Sequence, residues 1–191
     1  GTGAFGSALS LGDFTGDGEL DIAIGAPDSG EGALFVGAAF VVDGTGLEAD
    51  LELTLDDSYR GSVAGDEAGS SLAFMDGRLV VGAPGADGDV ENAGSVYVVE
   101  PGTLPGLLDS VADLRLDGAA SGDRFGSSLA SGVLRSGGDD ALAVGAVGVS
   151  GRGARTGAVY VFDAPASFAG TLLALEADVI ISGPEGAAAA G

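Results

Sequence analysis

Apolar positions in this chain come in short bursts, each ended by Gly, Asp or Pro, and none is long enough to make a globular helix. Short runs rich in Val, Ile, Ala and aromatic residues and bounded by turn formers predict β-strands. Twelve are read here: Ser7–Leu11, Leu20–Ala26, Ala38–Val42 and Leu51–Leu55; Ser70–Phe74, Arg78–Gly82, Ser95–Glu100 and Asp113–Leu116; Ser127–Ser131, Asp140–Gly145, Ala158–Phe162 and Asp178–Ile181. The first two runs of each four are rich in Ser, Ala and Gly, as a crowded interior position requires. The fourth alternates, as in Leu51-Glu52-Leu53-Thr54-Leu55 and Leu114-Arg115-Leu116. That period of two marks a strand with one wet face, so the fourth is placed outermost. Pro101–Ala112 and Ala164–Ala174 are longer crossings with room for a helical turn.

The runs fall into groups of four because the sequence repeats. Phe5-Gly6 leads to Gly25-Ala26-Pro27 and Gly37-Ala38-Ala39-Phe40-Val41-Val42; Ala68-Gly69 leads to Gly82-Ala83-Pro84 and Gly94-Ser95-Val96-Tyr97-Val98-Val99. Phe125-Gly126 leads to Gly145-Ala146-Val147 and Gly157-Ala158-Val159-Tyr160-Val161-Phe162. The second landmark glycine follows the first by twelve residues in all three copies. A fixed long period signals an array of supersecondary units. Four-stranded units of this length predict an all-β fold of β-propeller blades, with repeats at 5–68, 69–125 and 126–191 in one partial propeller over 1–191. Closed propellers have about four to eight blades. The chain has no initiator Met or signal peptide and begins and ends within the pattern. The expectation is a segment of a longer polypeptide whose remaining blades are its partners, with self-association into a ring as the second reading.

Charge narrows the possible partners. The net charge is −22, from 29 acidic residues against seven arginines, with no lysine. Such a surface repels nucleic acid and anionic membranes, and it suits cations or a salt-rich, halophile-like setting. No apolar run reaches the roughly 18 residues that span a bilayer, so no membrane insertion is expected. Cys and His are absent with Lys, which removes thiolate, imidazole and Schiff-base chemistry and zinc or haem sites built on Cys or His.

What remains is oxygen chemistry, and one loop concentrates it: Asp13-Phe14-Thr15-Gly16-Asp17-Gly18-Glu19-Leu20-Asp21. Side-chain oxygens fall at positions 1, 3, 5 and 9, a glycine at 6 permits the sharp turn, and position 7 offers its carbonyl. Calcium collects six to eight oxygens from such a short curled segment. An EF-hand would carry Glu at position 12, where this chain has Ile24. The flanks predict strands, so the loop joins the first and second strands of a unit. The third unit has Val133, Arg135, Gly137 and Ala141 where Asp13, Thr15, Asp17 and Asp21 stand, and the second closes with a tight Asp76-Gly77 hairpin. One Ca2+ site is therefore expected.

Together, Phe-Gly, the Asp-x-Thr-x-Asp-Gly-x-x-Asp loop, Gly-Ala-Pro and Gly-x-Val-Tyr-Val resemble FG-GAP repeats, the blades of the integrin α-subunit propeller and its prokaryotic relatives. The resemblance implies a seven-bladed propeller with calcium loops on one face and partner recognition on the other. By position it makes Asp13, Thr15, Asp17, Glu19 (through its carbonyl) and Asp21 the metal ligands. It also implies an extracellular or cell-surface module for adhesion or protein binding, with no enzyme activity and an unknown protein or surface ligand as partner. The alternative is a propeller-type hydrolase acting on glycans through Asp and Glu, with carboxyl pairs about 5 to 5.5 Å apart for retention or wider for inversion. Gly1-Thr2-Gly3-Ala4-Phe5-Gly6 matches a dinucleotide fingerprint without the preceding strand or following helix that such a site needs. Arg152 and Arg155 stand out as positive points between the second and third strands of unit three.

Overall fold

The computed structural model describes residues 3–30, 35–47, 50–88, 90–134, 138, 140–150, 156–163 and 169–184. The described residues form three sheets, antiparallel throughout except for one parallel strand pair at the edge of the second. The first contains β1 (Leu9–Gly12), β2 (Asp21–Ala26), β3 (Ala38–Val42) and β4 (Ser58–Arg60), in that order. The second runs β5 (Ser71–Met75), β6 (Arg78–Ala83), β7 (Ser95–Val99) and β8 (Leu114–Asp117), with the helical turn α1 (Leu108–Val111) in the crossing before β8. In the third, β9 (Phe125–Gly132), β10 (Ala141–Ala146) and β11 (Ala158–Asp163) are followed on the edge by β13 (Val179–Ser182). Between them in sequence, β12 (Gly170–Leu173) leaves its own unit and pairs parallel with β8, from Gly170↔Leu114 to Leu173↔Asp117.

The sheets stack because the middle one is apolar on both faces. Along β6 and β7, alternate side chains point to opposite sides. Leu79, Val81, Tyr97 and Val99 join Phe14, Ala39 and Tyr59 of the first sheet. Val80, Val96 and Val98 join Phe125, Leu142, Val144, Tyr160 and Phe162 of the third. A strand buried on both faces reads as a continuous apolar run, as Leu79-Val80-Val81 does.

Small residues set the sheet-to-sheet approach. A Cβ on Gly25 would lie 2.1 Å from the Gly69 carbonyl oxygen of the next unit, and one on Gly82 would lie 2.3 Å from that of Gly126. The first landmark glycine is thus the seat for the next unit's Phe-Gly backbone. Polar links add to it: the Ser71 hydroxyl donates to the Gly126 carbonyl at 2.7 Å, the Ser131 hydroxyl donates to the Phe74 carbonyl, and the Tyr59 hydroxyl donates to the Thr103 carbonyl at 2.7 Å.

Two expectations need correction. Leu51–Leu55 is not a paired strand: the chain turns at Thr54, whose N–H and hydroxyl both reach the Asp57 carboxylate, and the edge strand that pairs with β3 is Ser58–Arg60. Nor is the fourth strand always outermost, because β12 covers β8. The half-polar face of β8 is enclosed too. Arg115 lies over the Tyr97 ring at 5.5 Å and pairs with Asp109 at 2.9 Å and with Asp117 at 2.7 Å.

Candidate metal site

The loop from Asp13 to Asp21 joins β1 to β2, as its strand flanks require. Asp21 is fully buried at the start of β2. One of its oxygens, Oδ2, accepts the Phe14 and Thr15 N–H groups at 2.7 and 2.9 Å, while Oδ1 accepts the Gly44 N–H at 3.0 Å. Asp13 Oδ1 and Oδ2 accept the N–H groups of Gly16 and Gly18 at 2.6 and 2.9 Å, and Asp17 Oδ1 accepts that of Glu19 at 2.8 Å. Gly16 and Gly18 have φ of +77° and +92°, the left-handed turns that curl the segment.

As a donor set the loop fits a hard cation. It offers oxygen ligands only and contains no basic residue, and Thr15, Asp17 and Glu19 are exposed. A carboxylate oxygen that accepts one N–H keeps a second lone pair, so Asp13 and Asp17 retain acceptor capacity. The five residues do not already form a cage, since among the described residues no three acidic side chains gather at one point. The acids instead hold the loop backbone, and Asp21 ties it to the turn after β3.

Sequence reasoning missed a second set of buried carboxylates. Asp66 lies in the link into β5, and its Oδ2 accepts the Ser62 and Val63 N–H groups, both at 2.8 Å. Asp123, in the corresponding link into β9, accepts the Ala120 N–H at 3.0 Å. Burial pushes both carboxyl groups up, against the lowering effect of those N–H donors. The signal was a Gly-Asp-x-x-Gly spacing repeated at Gly65–Gly69 and Gly122–Gly126. The same links hold Glu67 and Arg124 at φ of +56° and +55°, and these two equivalent residues pair across the joint at 2.5 Å. Arg152 and Arg155 lie outside the described residues.

Stacked sheets, each built on four sequential antiparallel strands that follow a Phe-Gly or Ala-Gly joint, with the second and third seated on the preceding sheet's glycine, define β-propeller blades. Residues 5–42 match the FG-GAP repeat family model, covering the first sheet and its acidic loop. Integrin alpha-5 of Xenopus laevis is 33% identical over 167 residues, which is 83% of this chain and 15% of the relative's length. The chain belongs to the FG-GAP, integrin α-like family.

Proposed function

We propose that the chain is a calcium-stabilised, non-enzymatic propeller module of a secreted or cell-surface protein, used for adhesion or protein binding. The observation that carries the calcium reading is the all-oxygen loop at the β1–β2 turn, where Asp13 and Asp17 retain acceptor capacity. Asp13, Thr15, Asp17, Glu19 through its carbonyl, and Asp21 would hold the ion. When bound, calcium supplies a divalent positive charge that offsets carboxylate repulsion. The chain's own part is positional: Asp21 anchors the loop to the Phe14, Thr15 and Gly44 backbone, and the two glycines give its curl.

The adhesion reading rests on the likeness to integrin alpha-5. The opposite end of the sheets, where β2 turns to β3 and one blade passes to the next, is the surface left for a protein or surface ligand. Among the described residues no helix is long and apolar enough to cross a membrane.

Calcium titration tests the module directly. Affinity is expected on the order of 10⁻⁴ to 10⁻³ M, as in extracellular modules. The melting temperature should rise with calcium, and Asp17→Ala should abolish that rise while leaving the melting temperature in EDTA nearly unchanged. A melting temperature that ignores calcium at about ten times that range sinks the calcium reading.

A further inference from the structure

We propose that a cavity at the joint between the first and second blades, built around Arg60, captures the aliphatic C-terminal residue of a partner polypeptide. The cavity holds about 280 Å³, with Arg60 and Ser62 as its polar wall and Val36, Leu55 and Leu107 as its apolar one. Both blades build it: Arg60 ends β4, Leu107 precedes α1, and the Arg60 N–H donates to the Gly106 carbonyl at 2.8 Å. The inference gives a chemistry to the protein-binding reading above and rests on it.

Arg60 is the reason to expect an anion. Arg78 and Arg115 each donate Nε to a carboxylate at 2.7 Å, and Arg124 donates to Glu67 at 2.5 Å. Arg60 has Asp56 at 3.9 Å, beyond hydrogen-bond reach, and the Asp56 side chain is 95% exposed. Its Nε is buried and has no hydrogen-bond partner among the described residues. Buried donors are almost always paired, so an orphan donor beside a cavity points to a partner from outside. A guanidinium favours a carboxylate, whose planar oxygens match its fork. In a chain with 29 acidic residues, an arginine without a close one stands apart.

The second blade shows the same corner filled. Arg60 pairs with Ala38 and Asp117 with Ser95, each the residue after the second landmark glycine, so Asp117 is the equivalent of Arg60. Gly30 corresponds to Asp87, because Ser29 and Ala86 before them donate to Ala26 and Ala83 and accept from Gly37 and Gly94. In the second blade the Arg115 guanidinium meets the Asp117 carboxylate at 2.7 Å and the Asp87 carbonyl at 2.8 Å. This level of the edge strand therefore holds a carboxylate on a guanidinium, closed over by the loop from second to third strand. In the first blade Ser58 stands for Arg115 and Arg60 for Asp117. The guanidinium is there without the carboxylate, and Gly30 borders the cavity that remains.

Size and walls choose among carboxylates. Pockets for small molecules begin at about 300 Å³, so this one takes a single residue. Val36, Leu55 and Leu107 set apolar surface beside the guanidinium. An internal Asp or Glu brings only one or two methylenes to such a wall and arrives with chain on both sides. A C-terminal Leu, Ile or Val carries a branched aliphatic group and a carboxylate on one Cα, which matches a cation beside an apolar wall. Capture of a terminal carboxylate is a recurring mode of peptide recognition.

The test titrates the full chain with acetyl-Gly-Gly-Leu bearing a free carboxylate and follows the NMR signals of the arginine Nε–H groups. Salt is held at about 0.15 M, where a Debye length of about 8 Å screens the net charge. The chain has seven arginines, and the Arg60 signal is the one that Arg60→Gln removes. It should move with a dissociation constant on the order of 10⁻³ M, while those of Arg78, Arg115 and Arg124 stay in place. The amide-capped peptide should bind about tenfold or more weakly, the loss of a charged hydrogen-bond partner. Arg60→Gln should abolish binding with circular dichroism unchanged and the melting temperature no lower, since it removes an orphan donor. Leu107→Ala, at an exposed position, should bring the peptide's affinity down toward that of acetyl-Gly-Gly-Gly. An Arg60 signal unmoved at about ten times that concentration overturns the proposal, as does binding that survives Arg60→Gln. So does an amide, or a peptide with an internal Glu, that binds as well as the free acid. Isovalerate, with the same aliphatic body and carboxylate but no peptide, separates this failure from failure of the protein-binding reading. If it matches the tripeptide and depends on Arg60, the cavity takes small acids, and both the partner polypeptide and the protein-binding reading fail there. If neither ligand moves Arg60, the cavity is no carboxylate site, and protein binding elsewhere on that end of the sheets is untouched.

Discussion

Asp66 shows what a buried carboxylate does here. It sits in a low-dielectric link and holds two backbone N–H groups, and burial pushes its carboxyl up from the ordinary value despite those donors. A carboxyl raised on folding favours the protonated form in the folded chain, so its contribution to stability is greatest below its unfolded pKa and is lost as pH rises through its folded pKa. Asp66→Asn keeps an acceptor without the buried charge. It should match or exceed the parent in urea unfolding at pH 7, and the advantage should vanish on acidification below the usual carboxylate range. Asp66→Ala leaves Ser62 and Val63 N–H unsatisfied and should cost about 1 to 3 kcal/mol. At this scale the sequence was a partial guide. It marked Asp13 to Asp21 as oxygen-rich, because spacing and residue type are written in the chain. It could not tell that Asp21 would be buried against Gly44, a contact spanning 23 residues. Asp66 and Asp123 were overlooked because one acid in a Gly-rich turn looks like a solvated one until its burial is known.

Strands were more legible than sites. Eleven of the twelve predicted runs overlap an observed strand, because alternation and turn formers report local conformation. Leu51–Leu55 fails for an instructive reason: alternating exposure is a property of an extended segment, and pairing belongs to a partner the segment cannot name. β12 went unread for the same cause, since Gly170–Leu173 acquires its strand character from β8 of another unit. The landmark glycines were visible as repeats, and the structure supplies their reason in the neighbour's carbonyl. Gly82→Ala would set a methyl 2.3 Å from the Gly126 oxygen, a backbone atom that cannot swing aside. It should destabilise the chain by roughly 2 kcal/mol or more, within the range for overpacking. Gly46→Ala, where a Cβ meets nothing within 4 Å, should leave the urea midpoint almost unmoved and serves as the control.

For the molecule as a whole, net charge outweighs any single ion pair. Five described ion pairs link arginines to acids, and these cannot offset a net charge of −22. Self-repulsion acts on the compact state more than on the open chain, so screening favours folding. The melting temperature should climb steadily as NaCl rises from about 0.05 M, where the Debye length exceeds 10 Å, toward 1 M, where it is about 3 Å. A melting temperature flat in salt would mean that the acids are already balanced within the fold.

The joint residues Ala4, Glu67 and Arg124 bear on how a chain built of near-copies keeps them in order. All three hold the left-handed backbone, with φ of +51°, +56° and +55°, and each accepts an N–H from the serine three residues on. The backbone of the joint is therefore interchangeable between units, and a folding chain could seat one unit in another's place. The side chains are not interchangeable. Glu67 finds Arg124 across the correct joint, whereas seating a second Glu67 there would set two like charges together in a protein with few cations. One opposite-charge pair at a repeated position thus acts as an order mark, penalising transposed or exchanged blades while leaving the shared geometry intact.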